Sequence, residues 1–213
     1  MKLHAVRLDG RRQEPVDTGE RERGGTFADA AARHSFLAGR AWLREIVGCA
    51  AGIEANRLVA RFDCPSCGGV DHGRPGWTVD GEVVPLAVSL SRSGGWAVAA
   101  VEDARVTPVV GIDLEQINRF EGTELDATVF TSAERFRIEG QDESGRPLLR
   151  AMLWARKEAV LKAAGTGLMT DPASVDVLEQ QIRVGRRNYV LEDVDPAELE
   201  LPHGFVVALA TAC

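Results

Sequence analysis

Residues 148–165 read LLRAMLWARKEAVLKAAG, and residues 33–48 read RHSFLAGRAWLREIVG. Both are rich in Ala, space their apolar residues for a helix and close on a glycine. The later one reads as a helix over about 147–164, stopped by Gly165-Thr166-Gly167. The earlier one reads as a helix over about 27–48, stopped by Gly48. Strand-like segments follow each helix. After the first come a Gly-, Pro- and Cys-rich loop over 61–85 and then VVPLAVSLSRSGGWAVAAVED (83–103). That last stretch is an apolar run, a Ser/Gly turn and a second apolar run, the pattern of a β-hairpin. After the second helix come short strand patterns over 184–191 and 204–210. The two similar stretches form a weak internal repeat. We therefore divide the chain into halves at 1–106 and 107–213. Residues 2–8 read as a strand, followed by a mobile polar loop.

The chain has 213 residues, 45% hydrophobic and 27% charged, which is ordinary for a folded domain with a buried core. No apolar stretch is long enough for a transmembrane helix, and the N-terminus has no apolar signal-peptide core, so a cytoplasmic protein is expected. The net charge of -7 argues against bulk binding to nucleic acid or to an anionic membrane. Basic residues are concentrated early: residues 1–60 carry ten Lys and Arg against eight Asp and Glu. Of 25 basic residues only Lys2, Lys157 and Lys162 are lysines, so a pair of them within six residues is unusual for this chain. Cys64-Pro-Ser-Cys67 with His72 supplies three zinc-type ligands at most, so reduced thiols in a loop are the better reading.

Val109-Val110-Gly111-Ile112-Asp113-Leu114-Glu115 alternates like a strand. Ile112 and Leu114 take one face; Asp113 and Glu115 take the other, about 7 Å apart at their Cα atoms. Alone, such a pair reads as a solvated acidic face. On the helix, Trp154, Glu158 and Lys162 stand at i, i+4 and i+8 and form one stripe. That stripe is either a Trp anchor with a surface ion pair or a third carboxylate facing the strand. Three carboxylates in one pocket repel each other unless a cation joins them. Oxygen-only ligation suits Mg²⁺ or Mn²⁺, and Mg²⁺ commonly bridges to substrate phosphates. Lys162, one turn beyond, could then balance charge on a phosphate in transfer. Ser91-Arg92-Ser93-Gly94 offers hydroxyls, amides and a guanidinium to a phosphate, or is a plain turn. Arg33 and Arg74 are further phosphate partners.

In this order, Gly111-Ile112-Asp113-x-Glu115, Phe130-Thr131-x-x-Glu134 and Trp154-x-x-Lys157-Glu158-x-x-x-Lys162, with Gly165-x-Gly167-Leu168 after them, resemble the 4'-phosphopantetheinyl transferases of the surfactin-synthetase type. Upstream, the segments 33–40, 64–68, 72–75 and 91–94 fall in the same family order. The resemblance implies an α+β fold of two similar α/β halves with pseudo-twofold symmetry and a ligand cleft between them. It implies transfer of the phosphopantetheine arm of coenzyme A to a serine of an apo acyl, polyketide or peptidyl carrier protein, releasing adenosine 3',5'-bisphosphate. Carried over by position, Asp113, Glu115 and Glu158 hold Mg²⁺. Lys162 serves the leaving phosphate. Glu158, or Glu134 through water, takes the proton of the serine. Arg33, Arg40, Arg74, Ser91, Arg92, Ser93 and Lys157, with Lys162, meet CoA. One chain supplies both halves, which implies a monomer. Glu134 has a second reading, since Thr131-Ser132-Ala133-Glu134 is a capping box. Arg92 departs from the family, which usually has His there against the 3'-phosphate of CoA. A permanently charged Arg removes the titration that His brings between about pH 6 and 8. Two other readings use the same residues: a Mg²⁺-dependent phosphohydrolase or nucleotidyl transferase, and a CoA- or carrier-binding module without turnover.

Overall fold

A computed structural model describes residues 1–64, 68–69, 73–122 and 126–213. Cys67 and His72 lie outside the described residues, so the Cys–His reading ends there. In chain order the elements are β1 (Lys2–Arg7), α1 (Thr18–Gly25), α2 (Ala30–Ala51), β2 (Val59–Asp63), β3 (Arg74–Val79), β4 (Glu82–Val83), β5 (Leu86–Ser93), β6 (Trp96–Asp103), β7 (Val110–Gln116), α3 (Asp126–Val129), α4 (Ser132–Glu139), α5 (Arg146–Ala164), β8 (Gln181–Val184), β9 (Arg187–Val194) and β10 (Phe205–Ala212).

The repeat is visible in the topology. One sheet runs β1-β6-β5 and the other β7-β10-β9-β8, all neighbours antiparallel. In both, the strand before the long helix pairs with the last strand of a later hairpin. Alternation along β6 and β10 builds three packed clusters. Ala97, Ala99 and Val101 meet α2 through Ala38, Trp42, Leu43 and Val47. Ala208 and Ala210 meet α5 through Ala155, Ala159 and Val160. The opposite faces, Val98 and Ala100 against Ile112, Leu114, Val207 and Leu209, close on each other. The order of layers is therefore helix, sheet, sheet, helix, an α+β arrangement. The β5–β6 hairpin turns on Gly94 and Gly95, with φ of +56° and +79°, the two left-handed positions that a tight hairpin demands.

Four readings need correction. Residues 61–85 are not only loop: β2, β3 and β4 form a small antiparallel sheet. Helix α2 does not stop at Gly48, which is buried where the chain doubles back on Ile53; it ends at Gly52, which takes the left-handed conformation. Residues 184–191 are not one strand. They span the end of β8, a turn with Gly185 at φ +60° and most of β9. The polar stretch after β1 holds a helix, α1, whose N-terminus is a capping box between Asp17 and Glu20. Its mean composition, TGERERGG, has no apolar face, so hydrophobic periodicity could not reveal it.

Candidate active site

β5 and β7 are edge strands of different sheets, and they meet through side chains. Asp113 and Glu115 face α5, and the helix approaches closely because residue 111 is glycine. A Cβ there would lie 1.9 Å from the Ala159 carbonyl oxygen. The stripe read from the sequence runs along this strand. Trp154 Nε1 donates to Glu115 Oε1 at 3.1 Å, and Lys162 Nζ donates to Asp113 Oδ1 at 2.6 Å and to the Ile112 carbonyl at 3.2 Å. Glu158 stands between them on the same stripe.

Asp113 is 2% exposed. Its Oδ1 also accepts from Ser91 Oγ at 2.7 Å, whereas its Oδ2 is buried with no hydrogen-bond partner among the described residues. A buried carboxylate oxygen without a partner is costly, and a cation is what such an oxygen suits. Burial and the charge of Asp113 push Glu115 up to about 7. Glu158 is pushed up by burial and by Asp113, against the pull of Lys162. Two carboxylates held above their usual range beside a third mark an acidic cluster short of positive charge. Among the described residues, however, no three His, Cys, Asp or Glu side chains stand close enough to hold an ion together. Lys162 supplies the counter-charge of Asp113. By its chemistry Asp113 Oδ2 fits an oxygen-preferring cation; Glu115 and Glu158 are carboxylates of the same kind on the same face, and they would have to draw closer to share the ion.

Lys157 and Glu134 do not reach this cleft. Both are fully buried and paired at 2.7 Å. Lys157 Nζ also donates to the carbonyls of Pro172 and Val175. Glu134 accepts from the backbone N–H groups of Thr131 (2.7 Å) and Val177 (2.9 Å). Burial lowers the Lys157 pKa against the opposing pull of Glu134. Glu134 is thus the capping-box residue and the partner of Lys157, which corrects both a proton-transfer role for Glu134 and a CoA contact for Lys157. Together they tie α4 and α5 to the segment 172–177.

Alternation along β5 splits the Ser-Arg-Ser tripeptide. Ser91 and Ser93 face β7. Arg92 faces α2, where its guanidinium lies 5.1 Å from the Phe36 ring centroid and its stem occupies the space beside Gly39. A cavity of about 660 Å³ opens there, lined among others by Arg23, Phe36, Arg40, Phe62 and Arg92. Arg40 donates to Glu20 at 2.6 Å, and Glu20 also pairs with Arg44. Arg40 Nη2 is buried with no hydrogen-bond partner among the described residues. Burial, then the charges of Arg40 and Arg23, bring Arg92 down to about 10, so it stays protonated at neutral pH. Arg23, on α1, lies 5.7 Å from the Phe36 ring. The sequence offered no signal for it, because α1 itself was not legible. A second cavity of about 260 Å³, lined by Arg74, Val110, Lys162 and Gly165 among others, shares Pro75 and Ser89 with the first. The arginine-lined and Lys162-lined spaces therefore adjoin.

Arg74 spends its guanidinium on the carbonyls of Ala163 and Ala164 at the end of α5, at 3.0 Å each. It fastens the small sheet to the helix while lining the second cavity. Arg33 is exposed at the start of α2 and lines neither cavity.

A sequence model described as the 4'-phosphopantetheinyl transferase superfamily matches residues 109–210. The chain is 37% identical over 83 residues to a holo-[acyl-carrier-protein] synthase of Jannaschia sp. (strain CCS1), covering 36% of this chain and 54% of that protein. It is 36% identical over 104 residues to the 4'-phosphopantetheinyl transferase psf-1 of Bacillus pumilus, covering 46% of this chain and 38% of that protein. The chain thus spans about half the length or less of these curated relatives. A solved holo-(acyl-carrier-protein) synthase from Bacillus anthracis, in complex with CoA (3',5'-ADP), aligns with 49% of this chain and 94% of its own at 25% identity and a TM-score of 0.41.

Proposed function

We propose that the chain transfers the 4'-phosphopantetheine arm of coenzyme A to a serine of an apo acyl, polyketide or peptidyl carrier protein, a reading supported by the match of residues 109–210 to the 4'-phosphopantetheinyl transferase superfamily. The other product is adenosine 3',5'-bisphosphate. The observation that carries the reading is the buried, partnerless Oδ2 of Asp113, set beside Glu115, Glu158 and Lys162. Asp113, with Glu115 and Glu158, would hold Mg²⁺, which when bound supplies charge neutralisation to the pyrophosphate.

The chain's own residues do the rest. Lys162 is a point charge next to Asp113 and lines the inner cavity; it neutralises the phosphate as the P–O bond to the nucleotide breaks. Glu158, whose proton affinity burial raises, is the carboxylate on the α5 stripe proposed to take the proton of the attacking serine. Arg92 and Arg40, with Arg23 at the rim, offer positive charge to the phosphorylated ribose end, and Phe36 and Phe62 offer apolar faces to the base. Ser91 and Ser93 are left out of the phosphate contacts, because their hydroxyl protons are already given to carboxylates. A single chain carries both groups, so the reading needs no second copy.

The test is intact-protein mass spectrometry of a panel of apo carriers incubated with the protein, CoA and Mg²⁺. A mass gain of one phosphopantetheine arm that disappears with chelator is the expected result. CoA cleavage without any gain on a carrier would point to a hydrolase instead. Tight CoA binding with neither outcome would point to a binding module.

A further inference from the structure

β5 presents Ser89, Ser91 and Ser93 on one face at period two, and all three are buried, at 3%, 7% and 5% exposure. Each meets β7 across the seam between the two sheets. Ser89 Oγ accepts from Ile112 N–H at 3.0 Å. Ser91 Oγ donates to Asp113 Oδ1 at 2.7 Å. Ser93 Oγ donates to Glu115 Oε2 at 3.1 Å and accepts from Gln116 N–H at 3.3 Å. The strands share no backbone ladder, so a row of hydroxyls fixes their register.

A serine hydroxyl has one proton to donate. Once that proton is committed to a carboxylate, it is not available to a phosphate. We propose that Ser91 and Ser93 are positioning residues for the acidic pair: strand β5 of the N-terminal half sets the orientation of the cation-binding carboxylates of the C-terminal half. Ser91, together with Lys162, occupies Oδ1 of Asp113 and leaves Oδ2 as the oxygen without a partner. Ser93 and Trp154 hold the two oxygens of Glu115 from separate elements, each at 3.1 Å, which restricts rotation of that carboxyl. Arg92 stands between the serines in sequence and points to the other face. The tripeptide thus serves two separate ends of the cleft, one through its hydroxyls and one through its guanidinium. This inference rests on the cation reading given above.

The experiment measures two bindings separately. Mn²⁺ affinity of the free protein is read by electron paramagnetic resonance of unbound Mn²⁺, without CoA. CoA affinity is read by calorimetry in the presence of chelator. Removing a hydrogen-bond partner of a metal ligand lowers metal affinity by about 10- to 100-fold, so Ser91→Ala is expected to lose at least about tenfold in Mn²⁺ affinity. Its metal-free CoA affinity stays at the wild-type value. Ser91→Thr, which keeps the hydroxyl, recovers most of the loss, and Ser93→Ala gives the same pattern with a smaller loss. Thermal unfolding of each variant reports whether it is folded.

Ser91→Ala with unchanged Mn²⁺ affinity and weakened metal-free CoA binding would overturn the inference and return the serine to the phosphate. Equal losses in Ser91→Ala and Ser91→Thr would overturn it in favour of packing. Asp113→Asn is the reference. If it binds Mn²⁺ as wild type does, the cation reading itself fails, and that failure is distinct from one confined to the serines.

Discussion

The two ends of the cleft are built from opposite charge, and they handle it differently. At the β7–α5 end, one lysine, paired with Asp113, is the positive charge that Glu115 and Glu158 also feel, and those two carboxyls are pushed above their ordinary range. At the α1–α2–β5 end, Arg40 and Arg92 stand in a cavity where Glu20 is shared between Arg40 and Arg44. Among the described residues both ends keep a buried polar atom without a hydrogen-bond partner, Asp113 Oδ2 in one and Arg40 Nη2 in the other. Each end therefore lacks a partner of the charge opposite to the one lacking at the other. A ligand with phosphates at one end and a cation at the other would satisfy both. The buried pair of Lys157 and Glu134 on the far side of α5 is the contrast, since there every charge is matched.

The largest break in the comparison comes from Glu158→Gln. A general base contributes about 10²- to 10⁴-fold, so carrier modification is expected to fall by that factor while circular dichroism and metal-free CoA binding stay near wild type. Near-normal turnover would remove Glu158 from the chemistry.

At the other end, Arg92→Ala removes a charge-assisted contact of about 1.5–3 kcal/mol, or about ten- to a hundredfold in CoA affinity. Arg92→His sharpens the point. Arg92, even lowered to about 10, stays charged from pH 6 to 8, so it adds no titration of its own to wild-type affinity in that range. The His variant should weaken as pH rises through about 6.5, where imidazole loses its proton. Calorimetric titrations of both proteins at four pH values decide it; a His variant whose affinity follows the wild-type pH profile would displace Arg92 from the phosphate.

A third effect isolates the acidic end. The Glu115 carboxyl sits at about 7 in the folded protein, above the ordinary 4.5, because burial and Asp113 disfavour its charge. A raised carboxyl contributes stability that is full below its unfolded value and is lost as pH rises through the folded one. The metal-free protein should therefore lose thermal stability between about pH 4.5 and 7, and Glu115→Gln should lose less over the same window. Saturating Mg²⁺ should flatten the wild-type curve. Parallel curves for wild type and variant in scanning fluorimetry would show that Glu115 does not titrate there.

The smallest expected effect is that of Arg23→Ala. Arg23 is exposed at the rim, where water screens a charge to about 0.2–1 kcal/mol. CoA affinity should drop by only a few fold, and less at high salt. A loss as large as that of Arg92→Ala would mean that α1 closes further over the ligand than this structure has it.

Much of the acidic end was legible before any fold was known. The alternation of Gly111–Glu115 and the four-residue spacing of Trp154, Glu158 and Lys162 are local, and local period decides which side chains share a face. The hairpin at Gly94-Gly95 and the cap at Gly165 were legible for the same reason. What those faces meet was a different matter. Ser91 and Ser93 looked like phosphate donors until Asp113 and Glu115, 22 residues on, took their protons. Arg74 looked like a ligand residue until the carbonyls of Ala163 and Ala164, 89 and 90 residues on, engaged it. Lys157 and Lys162 are alike in the sequence, yet one is fully buried against Glu134 and the other stands in the cleft. Helix α1 has no apolar stripe and is held by ion pairs from α2. The sequence alone determined the periodic elements, the acidic strand and the stripe that faces it, because those follow from spacing along one element. Tertiary structure decided which donors remain free for a ligand, because a hydrogen bond is spent on whichever partner the fold brings within about 3 Å.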